Sequence, residues 1–149
     1  MTDHFPDLGR YISILDRLMR MYYDHGLAEF DIGWGQQFYV EYIYDHPGAS
    51  AQEMVECIRV DKATLTKSIR KLDEIGYISI WGDQDDRRIK RLYLTEKAIP
   101  AVLRIKEIHR SFSHALHADI PPEEVQQAEE TLERMMTNLN RTIWHRMEE

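Results

Sequence analysis

The sequence predicts a mainly α fold carrying one small β-wing, and three observations predict it. Apolar residues recur three or four apart along most of the chain, with Gly, Pro and Asp marking the breaks. Two short amphipathic stretches, Ser50 to Ile58 and Lys62 to Ile75, are separated only by Arg59-Val60-Asp61. Two β-prone runs, Tyr77 to Trp81 and Ile89 to Leu94, then flank a charged segment. Helix, tight turn, helix and hairpin in that order make a winged helix-turn-helix. Helices at both ends of the chain complete the architecture.

Length and composition narrow the class. A chain of 149 residues is one domain's worth, so residues 1–149 read as a single unit. Its winged lobe spans about 34–95, and the outer helices span about 5–27 and 96–148. No apolar run is long enough to predict a membrane span. The start, MTDHFPDLGR, lacks the basic and apolar regions of a signal peptide. A single cysteine makes no internal disulfide, and a cytoplasmic location is expected. Gly-rich phosphate loops, G-x-S-x-G, paired catalytic carboxylates and Cys/His arrangements are missing, so neither an enzyme nor a cofactor is expected. The net charge of −7 argues against a generic nucleic-acid coat. Its distribution says more. From Arg59 to Arg91 there are nine basic and six acidic residues, against ten and twenty in the remainder.

The elements follow from local chemistry. Asp7 to about Leu27 reads as a helix, with Leu8, Ile12, Leu15, Met19 and Tyr22 on one stripe and His25-Gly26 at its end. Trp34 to His46 is the next, with Phe38, Tyr42 and Ile43 on its apolar side and Pro47-Gly48 closing it. Ser50 and Glu53 form an S-x-x-E capping box. Met54 and Ile58 share a face beside Cys57, which is expected to be a buried, inert thiol. Asp61 caps the second helix of the pair, and Leu65, Ile69 and Leu72 form its buried stripe. Ala63, Lys67, Arg70 and Lys71 fall opposite, Lys62 and Thr64 lie at the N-terminal end, and Gly76 stops the helix. Thr95 is a cap for a long helix to about His117, striped by Ala101, Ile105, Ile108, Phe112 and Leu116. Pro100 is expected to perturb its start. Asp119-Ile120-Pro121-Pro122 breaks the chain again. Pro122, Glu123 and Glu124 suit the first turn of a last helix striped by Val125, Ala128, Leu132, Met135, Leu139 and Ile143.

A helix entering a major groove offers base edges its N-terminal residues and outer face. Here those are Lys62, Ala63, Thr64, Lys67, Arg70 and Lys71. The hairpin tip, Gly82 to Arg88, can place an arginine in the minor groove, where narrow A·T stretches concentrate negative potential. Its aspartates look wrong for DNA unless Asp86 pairs with a nearby arginine and fixes its direction.

The pattern V-D-K-A-T-L-T-K…L-D-E-I-G-Y-I…D-D-R-R…L-Y-L-T-E-K resembles the MarR family of bacterial transcriptional regulators. That family's wing carries D-x-R and then a leucine-threonine step, matched by Asp86-Arg87-Arg88 and Leu94-Thr95. The resemblance implies that Arg88 is the minor-groove arginine, with Arg87 beside it, and Asp86 its orienting partner. It also places Lys62, Ala63, Thr64 and Lys67 at groove-reading positions. The helices before and after match the family in order and length, while Ala98, where the family often has Gly, departs from it.

Further expectations follow. The first, fifth and sixth helices carry more apolar surface than a small winged core can cover, and in the resembling family these helices intertwine into a homodimer. The partner is then a pseudo-palindromic double-stranded operator with half-sites one helical turn apart. The resemblance implies a repressor relieved by a small molecule bound where the dimer helices meet the winged lobe. Tyr11, Tyr22, Tyr23, His25, Trp34, Phe38, Tyr39 and Tyr42 fall near that junction and suit a phenolic or other aromatic ligand. Taken singly, aromatics at helical spacing are more often core. Two rivals stand beside this reading. One is a winged helix used for protein contact without DNA. The other is a metal-sensing regulator using His109, His114 and His117 with His25 and Glu41. Only His114 and His117 have helical ligand spacing and no H-E-x-x-H is present, so no metal site is assigned.

Overall fold

The computed structural model describes residues 7–147, and side chains through residue 143. The predicted helix start near residue 5 and end near 148 lie outside the described residues. The chain divides into two compact units, residues 1–109 and 110–149. The first contains α1 (Leu8–Leu27), a 3-10 turn (Ala28–Phe30), α2 (Gln36–Asp45), β1 (Ala49–Ser50), α3 (Ala51–Ile58), α4 (Lys62–Glu74), β2 (Ile78–Gly82), β3 (Lys90–Leu94), a second 3-10 turn (Glu96–Ala98) and the start of α5 (Ile99–Leu116). The remainder of α5 and α6 (Pro122–Met147) form the second.

The first unit is organised around one core to which nearly every element contributes. Leu27, Ile43, Met54, Leu65, Leu72, Leu92 and Ile105 are each at most 1 or 2% exposed. The sheet is antiparallel with order β1-β3-β2, so β3 is the central strand. Ile78 faces Leu94 and Trp81 faces Arg91 across the hairpin, while Ala49 faces Leu92 on the other side. β1 is two residues long and carries no alternation to detect, which is why the sequence did not show it.

Local chemistry sets the boundaries. Ser50 Oγ accepts from Glu53 N at 3.2 Å, one half of the expected capping box; the Glu53 carboxylate accepts from Arg91. α4 ends as predicted at Gly76, whose φ of 81° is left-handed, with Tyr77 N donating to Leu72 O. Lys97 Nζ donates to Ile75 O at 2.6 Å, placing a cation at the negative end of α4.

Several expectations need correction. α2 begins at Gln36, after Gly35 at φ 98°. It buries Gln37, Tyr39, Val40 and Ile43 and leaves Phe38 41% exposed. Phe38 lies on the far side of the helix from Val40, and the Gln37 carbonyl turns inward to accept from Gly35 N. Thr95 does not cap with its side chain; its hydroxyl donates to Gly76 O at 2.6 Å. Pro100 does not disturb α5, because it sits in the first turn, where its missing N–H has no partner to lose. Cys57 is exposed. Met54, Val55 and Ile58 define the inward face of α3, and at 100° per residue Cys57 falls past its edge.

The outer helices keep much of their apolar surface open. On α1, Tyr11, Ile12, Leu15, Leu18 and Met21 are 45–68% exposed. The stripe of α5 divides: Ala101, Ile105 and Ile108 are buried, Phe112 is half-buried and Leu116 is exposed. Along α6, no residue from 122 to 143 is buried, and Leu132, Met136, Leu139 and Ile143 are all exposed.

Leu72→Ala should cost about 3 kcal/mol through lost burial and a cavity, whereas Ser50→Ala should cost about 1 kcal/mol through one orphaned N–H. Urea unfolding at a fixed protomer concentration checks both values and their order.

Candidate nucleic-acid interface

The turn between α3 and α4 is built by two backbone devices. Arg59 closes α3 in the left-handed region at φ 59°, with its N–H on Val55 O. Asp61 then caps α4: Oδ1 accepts from Thr64 N at 2.9 Å and Oδ2 from Thr64 Oγ1 at 2.5 Å. The two bonds from Thr64, the hydroxyl's first, hold the Asp61 carboxyl below its usual range. They also commit the Thr64 hydroxyl to the cap, leaving its methyl as the outward chemistry.

From this start α4 shows two faces. Leu65 and Leu72 are buried and Ile69 is half-buried. Lys62, Ala63, Thr64, Lys67, Arg70 and Lys71 are all exposed. Lys71 Nζ reaches back to Gln36 Oε1 at 3.3 Å. Behind the helix, Tyr39 is 4% exposed and its hydroxyl meets Ser68. Burial raises this phenol's pKa, against the opposing pull of Ser68. Tyr39 is therefore a support for α4.

The hairpin tip is closed by its aspartates. Asp83 N donates to Ile89 O at 2.9 Å and Ile89 N to Asp86 O at 3.0 Å. Asp83 Oδ2 accepts from Asp85 N and Asp86 N, and Oδ1 accepts from Arg91 Nε at 3.1 Å. Asp86 Oδ1 accepts from Arg88 N and Nε, and Oδ2 from Arg88 Nη2 at 3.0 Å. The pairing expected of Asp86 is thus with Arg88, whose side chain stays 92% exposed. Arg87 beside it is also exposed. Hydrogen bonds from Arg88 lower the Asp86 carboxyl, and the Asp86 and Arg91 bonds lower that of Asp83. Asp83 and Arg91 were not singled out from sequence. The signal available was an aspartate placed two and three residues before the N–H groups it accepts from, as in Asx turns.

A model of the MarR family matches residues 33–90. The chain is 31% identical over 97 residues to an HTH-type transcriptional regulator of Bacillus subtilis, YybA, a match that covers 65% of this chain and 62% of that protein. It superposes on a MarR protein from Peptoclostridium difficile with a TM-score of 0.85, at 27% identity, over 93% of this chain and 91% of the other. It shares its fold, at a TM-score of 0.84 and 23% identity, with Staphylococcus aureus MepR solved as a DNA complex, over 91% of this chain and 99% of that one. The chain thus resembles the MarR family in sequence over residues 33–90 and matches a MarR protein in fold over most of its length. This is a family of transcriptional regulators and not of enzymes.

The residues expected around a MarR effector divide into two sets. Tyr22, Tyr23, Trp34 and Phe38 form a run of edge-to-face rings with centroids 6.3, 5.1 and 5.3 Å apart. Tyr22 and Phe38 keep exposed edges, while Tyr23 is 3% exposed. The Tyr23 hydroxyl lies 2.5 Å from His109 Nδ1, and His109 Nε2 lies 2.5 Å from Glu41 Oε1. The Tyr23 hydroxyl and the Glu41 carboxylate thus engage both ring nitrogens of His109. Burial, with the Glu41 charge nearby, pushes the Tyr23 phenol up to about 12. Burial also raises the Glu41 carboxyl, against the attraction of His109. Trp34 N donates to Asp24 Oδ1 at 2.6 Å, fixing the loop to α1.

The other four stand apart. Tyr11 is 55% exposed with the Arg10 guanidinium over its ring, His25 is exposed near the end of α1, and Tyr39 supports α4. Tyr42 stacks on His46 at 4.2 Å. Its phenol is pushed up to about 12, first by a hydrogen bond with Cys57. Both ring nitrogens of His109 are engaged, and His114 and His117 belong to the second unit. Among the described residues no group of three or more His, Cys, Asp or Glu could hold a metal ion.

Because both wing carboxyls have lowered pKa values, the order they confer is complete above about pH 4, the ordinary aspartate range, and is lost as pH falls through their own lower values. An NMR titration of Asp83 and Asp86 should show both carboxyls titrating below an unpaired aspartate, with the Arg88 Nε–H signal changing in step with Asp86.

Proposed function

We propose that this chain is a MarR-family, sequence-specific, double-strand DNA-binding transcriptional regulator, acting in the cytoplasm as a homodimeric repressor that a small aromatic or phenolic ligand releases. One observation carries the DNA reading: α4 buries Leu65 and Leu72 while its opposite face is bare and basic, and the wing holds Arg88 out at 92% exposure. In this reading Lys62, Ala63, Thr64, Lys67, Arg70 and Lys71 face the major groove. Thr64 offers its methyl, and the cations offer donors to guanine and phosphate. Arg88, aimed by Asp86 and flanked by Arg87, enters the adjacent minor groove. The transcriptional role is supported by the likeness to the Bacillus subtilis regulator.

The dimer is supported by the apolar side chains that α1 and α6 leave open. Two-fold pairing of such helices presents two recognition helices to one face of the duplex, so the operator is pseudo-palindromic. Effector binding is supported by the Tyr22–Tyr23–Trp34–Phe38 run, whose exposed edges offer an aromatic surface and whose Trp34 loop reaches α4 through Gln36 and Lys71. A ligand there acts only through its differential affinity for the DNA-competent and incompetent arrangements.

Selection of genomic fragments by the purified protein at physiological salt should enrich a pseudo-palindrome with half-sites one turn apart. Retention without sequence preference, or none, would favour a winged helix that contacts protein. Arg88→Ala should weaken binding about tenfold, the effect of one charge-assisted contact, with fold and dimer unchanged. Lys67→Ala should alter the preferred sequence as well as the affinity. Phe38→Ala should leave DNA affinity intact and raise the concentration of substituted phenols or benzoates needed for release, measured by fluorescence anisotropy.

A further inference from the structure

We propose that Arg91 is a positioning residue for the minor-groove arginine, holding Arg88 in a set direction relative to the helix-turn-helix; this rests on the DNA-binding reading above. The observation is an unbroken set of hydrogen bonds. Ser50 Oγ accepts from Glu53 N in the first turn of α3. Glu53 Oε1 accepts from Arg91 Nη1 at 3.3 Å, and the same nitrogen donates to Gly48 O at 3.3 Å. Arg91 Nε donates to Asp83 Oδ1. Asp83 Oδ2 accepts from Asp86 N, and Asp86 takes three bonds from Arg88. Each step joins a residue nearer the helix-turn-helix to one nearer the wing tip.

The placement of Arg91 fits this task. It lies on the central strand, paired with Trp81 on one side and Ser50 on the other. Its side chain is 30% exposed, against 92% for Arg88. A guanidinium presents donors in a rigid planar fork, so contacts in different directions fix its plane and its partners together. Two carboxylates, from Glu53 and Asp83, neutralise its charge. That leaves it poorly suited to be a phosphate contact in its own right. A two-stranded hairpin bends readily away from its base, and Asp86 orients Arg88 only within the tip. Arg91 supplies the link between that tip and α3.

The test is a double-mutant cycle in the full-length protein, with the duplex enriched by genomic selection as the probe. Arg91→Met should weaken binding about tenfold in the wild-type background and less than about twofold once Arg88→Ala is present, because a positioning residue has nothing left to position. Asp83→Asn breaks the next link and should reproduce the pattern, which keeps the test valid if Arg91→Met folds poorly. In both variants the Arg88 Nε–H resonance of the free protein should move towards that of an unconstrained arginine. Equal losses in the two backgrounds would make Arg91 a direct contact or a general stabiliser and overturn the proposal, as would full affinity in Arg91→Met. If the wild-type chain binds no duplex, the DNA reading fails separately. The Arg88 resonance then decides the positioning role alone, and an unmoved signal refutes it.

Discussion

Leu65 and Leu72 lie seven residues apart on α4 and are almost wholly removed from water. Burying two leucines contributes roughly 4 kcal/mol, enough to fix which side of α4 faces inward. The exposed face of α4 follows from that orientation. The bare face carries Lys67, Arg70 and Lys71 because their spacing from the leucines turns them outward, and Lys62 stands exposed at the N-terminal end. Asp61 starts the helix, Gly76 and Lys97 end it, and Tyr39 supports it from behind. An isolated helix of 13 residues would be marginal in water. Its packing makes it a fixed instrument.

Charge is arranged on the same principle. The chain is acidic overall, yet its basic residues gather on α4 and the wing. The wing aspartates oppose that arrangement in sign, but their bonds give them another task. Asp83 and Asp86 spend their oxygens on backbone N–H groups and on two arginines, so they act as fasteners more than as field sources. Arg91 is neutralised where it stands, while Arg88 is held but left open to solvent.

Most of this was legible in the sequence, because the helices are amphipathic and their ends carry ordinary capping chemistry. Ser50, Asp61 and Gly76 behave as their residue types require. That Asp86 pairs with a nearby arginine was legible in the wing itself, and the family resemblance pointed to Arg88. The failures have a common cause: the outcome depended on contacts distant in sequence. β1 exists because β3 offers a partner to two residues. Phe38 faces out because Val40 and Ile43, on the other side of α2, are taken up by the core. Thr95 abandons its cap for the Gly76 carbonyl, 19 residues away. The aromatic residues were recognisable as a group, but only the fold separates the Tyr22–Phe38 run from Tyr39, which supports α4, and Tyr42, which meets Cys57 and His46.

The central claim is that a bare basic face on α4 and a fixed wing arginine are used against phosphate and base edges. Equilibrium affinity of the full-length protein for a selected duplex, measured across salt concentration, tests it most directly. Phosphate contacts release counterions, so for the proposed dimer with its two basic faces log K should fall linearly with log salt, with a slope of about −4 or steeper. A flat dependence, or binding equal to that of a scrambled duplex at every salt concentration, would contradict the account.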